Sequence, residues 1–212
     1  MTLLSPLSRR AFLVSTGLGF AAEALAARIA DADDLGGGPC AAAQAHAVLA
    51  GAAEPGVRLV VRGRIFAPDG ESPAPGAIVY AYQTDAKGVY APEQSAPPRL
   101  RAFMKTDAEG RFRYETIRPG SYPGTRNPAH VHHQAWGGGW PPQWLAELNF
   151  TDDPFVSAEN RERSAAAGRF AWVLTPRKEG EVLGIDLNLR LKAEGASFGA
   201  NVLHGREACG LR

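Results

Sequence analysis

The segment LGIDLNLRL, residues Leu183–Leu191, sets the fold class of this 212-residue chain. Leucine or isoleucine occupies every second position, while glycine and polar residues occupy the positions between them. Side chains of an extended strand point alternately to opposite faces, so this pattern predicts a strand with one buried and one exposed face. A strand of this kind needs partner strands and a second layer that covers its apolar face.

Several other short segments also have the composition of strands, and turns rich in glycine and proline separate them. Predicted strands cover residues 57–65, 77–83, 111–115, 130–136, 146–151 and 170–174. The one good helical stretch is residues 157–167, which Gly168 ends. Many short strands with a single helix predict an all-β fold, an antiparallel β-sandwich.

The beginning of the chain has the pattern of an export signal. Arg9 and Arg10, within SRRAFL, precede a short apolar run and then Ala24-Leu-Ala26. This order is typical of a twin-arginine signal peptide, with an ordinary secretory signal or a short helix as alternatives. We therefore expect residues 1–26 to be a signal peptide and the protein to be exported, to the periplasm or outside the cell. Residues 27–56 are expected to be an irregular lead-in with a short helix near residues 41–49, and residues 57–212 the domain itself.

Charge and cysteine content narrow the classes of partner. The chain has 23 Lys and Arg against 22 Asp and Glu, without a basic stripe that would indicate nucleic acid. No second apolar segment indicates a membrane span. Cys40 and Cys209 lie near the two ends of the exported chain, where they either pair in an oxidising compartment or stay as two thiols. Their spacing matches no zinc motif.

The segment PGSYPGTRNPAHVH, residues 119–132, predicts a metal site. His130 and His132 are two residues apart on a predicted strand and therefore share a face, while His133 points to the opposite face. Tyr122, held between prolines, can add a phenolate oxygen, but a phenol loses its proton only beside a strong cation. Imidazole together with hard oxygen donors suits iron. A pair of surface histidines is the alternative interpretation.

Six segments, in order, resemble the intradiol ring-cleavage dioxygenases, which are non-haem Fe(III) enzymes that open catechols between the two hydroxyls. They are VRGRI with PGAIVY (61–65 and 75–80), DAKGVY (85–90), TDAEG with its following aromatics (106–114), PGSYP (119–123), PAHVH (128–132) and Asp153-Pro154. The resemblance extends over residues 57–155. It implies the fold predicted above, with the family's β-sandwich core.

The resemblance also implies a ligand set and an activity. Tyr90, Tyr122, His130 and His132 would bind Fe(III), and Tyr90 rests on the resemblance alone, since a turn tyrosine packed over the core would look the same. The implied partners are a small aromatic diol and O2, and the product is a muconate-type diacid. Tyr122 would leave the metal and accept a substrate proton. The chain resembles the protocatechuate type more closely, which makes a homo-oligomer an expectation.

Two positions depart from the family pattern. Asn127 stands where many members have an arginine that stabilises the reacting ring, so Arg126, one residue earlier, is the candidate for that catalytic role. Glu147 stands where members have a neutral glutamine. A carboxylate there would repel a substrate carboxylate, and burial would raise its own pKa; alternatively it faces solvent. These departures bear on rate and substrate rather than on metal binding.

Further residues have more than one interpretation. The insert WGGGWPPQW, residues 136–144, predicts a loop over the site whose tryptophans form an apolar wall, a core plug or a partner surface. Three arginines are candidate carboxylate anchors or solvated charges: Arg99, Arg101 and Arg118. His46 and His204 are expected at the surface. Competing functions are a non-catalytic metal- or carbohydrate-binding β-sandwich of the same fold and a transthyretin-like interaction module.

Overall fold

Two β-sheets form the body of the protein in the computed structural model, which describes residues 36–93, 96–194 and 203–211. The predicted signal peptide, residues 1–26, lies outside these ranges. The strands are β1 (His46–Val48), β2 (Arg58–Phe66), β3 (Ile78–Gln83), β4 (Leu100–Lys105), β5 (Arg111–Ile117), β6 (His130–Gly137), β7 (Trp140–Trp144), β8 (Leu148–Phe150), β9 (Val173–Leu174), β10 (Arg177–Glu179) and β11 (Val182–Arg190). The helices are α1 (Gly38–Ala41), α2 (Ala158–Ala166) and α3 (Leu203–Ala208), with a 3-10 turn at Gly168–Phe170.

The strand order confirms the predicted sandwich. The first sheet has the order β1-β5-β2-β11-β10, and the second has the order β4-β3-β6-β8-β9 with β7 also paired to β6. Three neighbouring pairs are parallel, namely β1 with β5, β2 with β11 and β8 with β9. The sheets are therefore mixed rather than wholly antiparallel.

The main core lies between the two sheets. Ile185, Leu187 and Leu189 on β11 are almost fully buried, while Asp186 between them is exposed, as the alternation predicts. Val79 and Val131 meet this cluster from the second sheet. Truncating a buried leucine here to alanine would destabilise the fold by roughly 2–5 kcal/mol.

The two ends of the described chain cover part of the outer face of the second sheet. Tyr80 and Trp136 on that face pack with Cys40 and Cys209. The two cysteines form a disulfide, with their Cα atoms 5.5 Å apart, so the pairing alternative is the one observed. The disulfide and the residues around it cover the Tyr80–Trp136 part of the outer face, and His132 lies on the same face outside that cluster.

Several local expectations are wrong. The helix expected near residues 41–49 is absent, because α1 ends at Ala41 and the chain then enters β1. Strand β1 pairs in parallel with β5, with His46 opposite Arg113, so the expected lead-in contributes to the first sheet. The strand expected over residues 170–174 begins only at Val173, after the 3-10 turn.

The predicted helix over residues 157–167 is confirmed as α2. Its N-cap is Ser157, whose side chain accepts a hydrogen bond from the Asn160 backbone N–H. None of the helices in the described ranges is long and apolar enough to cross a bilayer.

Candidate metal centre

Strand β6 presents its histidines on both faces of the second sheet. His130 and His132 lie on the outer face. The start of the strand is held by a hydrogen bond from the backbone N–H of Ala129 to the buried Asp153 carboxylate, at 2.9 Å. His133 points to the opposite face, as predicted, and there it is buried with its Nε2 2.9 Å from the Tyr114 hydroxyl. Burial lowers the pKa of His133 to about 3, so this imidazole is neutral in the folded protein.

Two loops bring the tyrosines to the histidines by interlocking through glycines. The Gly120 N–H donates to the Asp85 carbonyl at 2.8 Å. A Cβ on Gly120 would lie 2.5 Å from the Ala86 carbonyl oxygen, and one on Gly88 would lie 1.9 Å from the Ser121 carbonyl oxygen. Because only glycine permits so close an approach, the two loops present Tyr90 and Tyr122 side by side.

The four predicted ligand atoms converge. The hydroxyls of Tyr90 and Tyr122 are 2.5 Å apart, and the Tyr122 hydroxyl is 3.0 Å from His130 Nε2. His130 Nε2 is 2.9 Å from His132 Nε2, which is 2.8 Å from the Tyr90 hydroxyl. Donors at right angles around one ion, with bonds of about 2.0 Å, lie about 2.8 Å apart. The spacing therefore fits the adjacent positions of a single metal ion.

The far side of each imidazole supports the same assignment. His130 Nδ1 is 2.7 Å from the Pro128 carbonyl oxygen, and His132 Nδ1 is 3.0 Å from Glu147 Oε1. Each acceptor favours a proton on Nδ1, which leaves both Nε2 lone pairs directed at the same point. Two lone pairs at this separation repel each other, and a cation between them would remove that repulsion. The donor set thus fits a metal ion on the chain's own geometry.

The phenols would need that cation in order to ionise. Burial raises the pKa of Tyr90 well above the ordinary value, and the neighbouring Tyr122 hydroxyl raises it further. Burial also raises the pKa of Tyr122. Two phenols beside two imidazoles therefore form a site for a highly charged ion that accepts hard oxygen and nitrogen donors.

Glu147 is a carboxylate at the edge of this centre. It lies between β7 and β8, and its carboxylate oxygen is within 4.8 Å of ligand atoms of both His130 and His132. The Glu147 carboxylate lies 3.0 Å from His132 Nδ1 but outside good hydrogen-bonding alignment, so it favours a proton on Nδ1 through its charge. The expectation that burial raises the pKa of Glu147 is wrong, because the imidazole beside it holds that pKa below its ordinary value.

The arrangement agrees with comparisons to known proteins. The family model described as Dioxygenase matches residues 36–192. The chain belongs to the intradiol dioxygenase family. It is 29% identical over 161 residues to the beta chain of protocatechuate 3,4-dioxygenase from Burkholderia cepacia, an alignment that covers 67% of each chain. It is 27% identical over 164 residues to catechol 1,2-dioxygenase 2 from Acinetobacter lwoffii, covering 62% of this chain and 58% of that one.

Solved structures share the fold. The dioxygenase domain of a dioxygenase carbohydrate-binding protein fusion from Streptomyces sp. SirexAA-E matches with a TM-score of 0.52 and 26% identity, over 69% of this chain and 86% of that one. An intradiol ring-cleavage dioxygenase from Tetranychus urticae matches with a TM-score of 0.53 and 20% identity, over 77% and 95%. The second likeness concerns the fold alone.

Aromatic side chains line one side of this intradiol-type centre. Tyr82 stacks on the His132 ring at 4.5 Å between centroids, and Trp144 meets the same ring edge-on at 5.4 Å. The expected loop at residues 136–144 is a β-hairpin, in which Trp136 packs beside the disulfide and Trp140 against the main core. Only Trp144 of the three therefore contributes to the apolar wall that the sequence predicted.

The arginines expected near an intradiol site are mostly engaged elsewhere. Arg126 is exposed, and its guanidinium lies 5.6 Å from the centre of the Phe155 ring, so its catalytic role stays a prediction. Arg118 pairs with both oxygens of Asp152. Arg99 pairs with Glu54 and Asp85, and Arg101 donates to a backbone carbonyl.

The remaining histidines have different outcomes. His46 is exposed at the surface as expected, where it meets Arg113 and Glu115. The side chain of His204 lies outside the described part of the chain. Sequence reasoning missed the stacking by Tyr82, whose signal is its place opposite His132 in the β3–β6 register.

Proposed function

We propose that this protein is an Fe(III) dioxygenase that cleaves a catecholic ring between its two hydroxyls. Tyr90, Tyr122, His130 and His132 would hold the ion. The observation that carries the proposal is the convergence of these four donor atoms, at separations of 2.5 to 3.0 Å, with both imidazole Nδ1 atoms turned away. Family membership supports the same class of reaction.

The bound ferric ion would act as a Lewis acid and template for a chelating diol and make its ring reactive toward O2. In the overall reaction the carbon–carbon bond between the two hydroxyl-bearing carbons breaks. Both atoms of O2 enter the product, which is a muconate-type diacid. The chain itself supplies position and proton transfer.

Individual residues would have separate roles in that reaction. Tyr122 is half-buried, and its oxygen, once ionised beside the metal ion, would be a phenolate that could accept a proton from an incoming hydroxyl. The imidazoles of His130 and His132 are buried, and burial lowers the pKa of His130, which favours the neutral form that a metal ion needs. Tyr82 and Trp144 exclude water from one side of His132.

We also propose that the protein is exported. The paired Arg9-Arg10 and the apolar run that follows support a twin-arginine signal. The Cys40–Cys209 disulfide is a second support, because such bonds persist in oxidising compartments. Fractionation of cells expressing the full chain, against a variant with Arg9 and Arg10 replaced by lysine, would check this.

Purified protein tests the proposed activity. We expect one iron per chain, a visible absorption band from phenolate bound to Fe(III), and oxygen uptake when catechol is added. Removing the iron with a chelator should abolish the band and the uptake together. A colourless protein that binds zinc or copper and consumes no oxygen would instead support the non-catalytic metal-binding alternative.

A further inference from the structure

The Glu147 carboxylate lies beside the metal centre and pairs with no lysine or arginine of the described residues. Glu147 Oε1 is 3.0 Å from His132 Nδ1, and the Glu147 side chain is 45% exposed. It is not one of the four converging donors, since it meets the far side of the imidazole. Its charge can therefore act on whatever occupies the centre without competing for the ion.

Three candidate arginines, Arg99, Arg118 and Arg126, do not pair with Glu147. The guanidinium groups of Arg99 and Arg118 each pair with carboxylates of their own. Arg126 lies over an aromatic ring. Arg163 is exposed and lines, together with Glu147, a cavity of about 310 Å³.

The charge acts differently on different diols. Every catechol would present the same two oxygens to the ion, so the effect of Glu147 on those oxygens is common to all of them. A ring carboxylate adds a negative charge within roughly one Debye length of Glu147, about 8 Å at physiological salt. Two negative charges brought together at a binding site repel each other, so Glu147 disfavours a diol that carries a ring carboxylate. The exposure of Glu147 to solvent weakens this repulsion.

We propose that Glu147 is a specificity-determining residue that makes the site select catechols without an acidic substituent over carboxylated ones. This inference rests on the proposed ring-cleaving function and names its substrate class. It holds although one relative of the chain is a protocatechuate dioxygenase subunit, because the selecting charge belongs to this chain's own Glu147. The alternative is that Arg163 anchors a ring carboxylate from the shared cavity.

The test compares Glu147→Gln with the charge-matched control Glu162→Gln on the exposed side of α2. Iron-loaded proteins are titrated without oxygen with catechol and with protocatechuate, and the shift of the visible band gives each dissociation constant. Glu147→Gln should lower the constant for protocatechuate about tenfold relative to that for catechol. Glu162→Gln should leave the ratio unchanged.

A second measurement on the unaltered protein does not depend on how a variant folds. Raising the salt concentration should tighten protocatechuate binding relative to catechol, because the repulsion is screened. An unchanged ratio in Glu147→Gln, or tighter binding of protocatechuate than of catechol by the unaltered protein, would overturn the role of Glu147 and leave the proposed function intact. Failure of both diols to shift the band of the unaltered protein would overturn the proposed function itself, and this inference with it.

Discussion

Replacing Gly120 with alanine is expected to separate the two tyrosine loops without removing any metal ligand. The added Cβ would lie 2.5 Å from the Ala86 carbonyl oxygen and 2.7 Å from the Gly88 nitrogen. Ordinary contacts begin near 3.4 Å, so the loops must move apart by roughly 1 Å. The Tyr90 and Tyr122 hydroxyls, now 2.5 Å apart, would then no longer both reach one ion.

The size of the effect follows from that displacement. Overpacking of this kind destabilises a protein by about 1–3 kcal/mol, and each kcal/mol lowers the Tm by about 2–4 °C at this size. A misplacement of about 1 Å at a reacting centre can lower the rate about 100-fold. We therefore expect a modest loss of stability but a large loss of oxygen uptake and a weakened phenolate band.

Gly124→Ala provides the matched control. Gly124 lies on the same loop with φ +72°, and a Cβ there meets nothing within 4 Å. The left-handed backbone alone makes alanine unfavourable by about 1–2 kcal/mol, so this variant loses stability without a clash between the loops. Tm, iron per chain, band intensity and oxygen uptake are measured for both variants. If Gly120→Ala matches Gly124→Ala within twofold in band intensity and uptake, the interlock does not position the tyrosines.

Three further outcomes are expected. Tyr122→Phe should remove part of the visible band while iron stays bound through the other donors, and an unchanged spectrum would contradict the ligand assignment. The folded-state pKa of His133, about 3, lies below the ordinary 6.5, so unfolded chains bind an extra proton between these pH values. Urea titrations should therefore show the free energy of unfolding falling by up to about 1.4 kcal/mol per pH unit as the pH drops from 6.5, with the fall shallower in His133→Gln. Replacing Cys40 and Cys209 by alanine should lower stability by about 2–5 kcal/mol, seen as a lower Tm than that of the unreduced parent protein.

The parts of the fold that the sequence predicted are those with a local pattern. Strand β11 alternates without interruption, and α2 has a capping serine and a terminal glycine. Strand β4, LRAFMK, has no such alternation, and β10 is fully exposed, so no periodicity marks either of them. Strand β1 was missed because an alanine-rich segment favours a helix, while pairing with β5 overrides that preference.

The residues of the site also divide into those that a local pattern predicted and those that it did not. His130 and His132 could be chosen from spacing alone, because a strand fixes which side chains share a face. Tyr90 is forty residues or so earlier in the chain, and nothing local connects it to the histidines; only the family resemblance selected it. The approach of its loop to the Tyr122 loop depends on Gly88 and Gly120. The sequence predicts a turn at each glycine, but it does not show that the two turns contact each other.

Glu147 illustrates what remains beyond a pattern. The family resemblance left two interpretations open, a carboxylate buried beside the substrate ring and one facing solvent, and the structure combines them. The side chain is partly exposed, yet it meets the back of the His132 imidazole, one of the proposed metal ligands. That contact arises because β7 and β8 both pair with β6, so the turn between them falls beside His132. Since neither β7 nor this turn has a strong sequence signal, the contact between Glu147 and His132 is visible only in three dimensions.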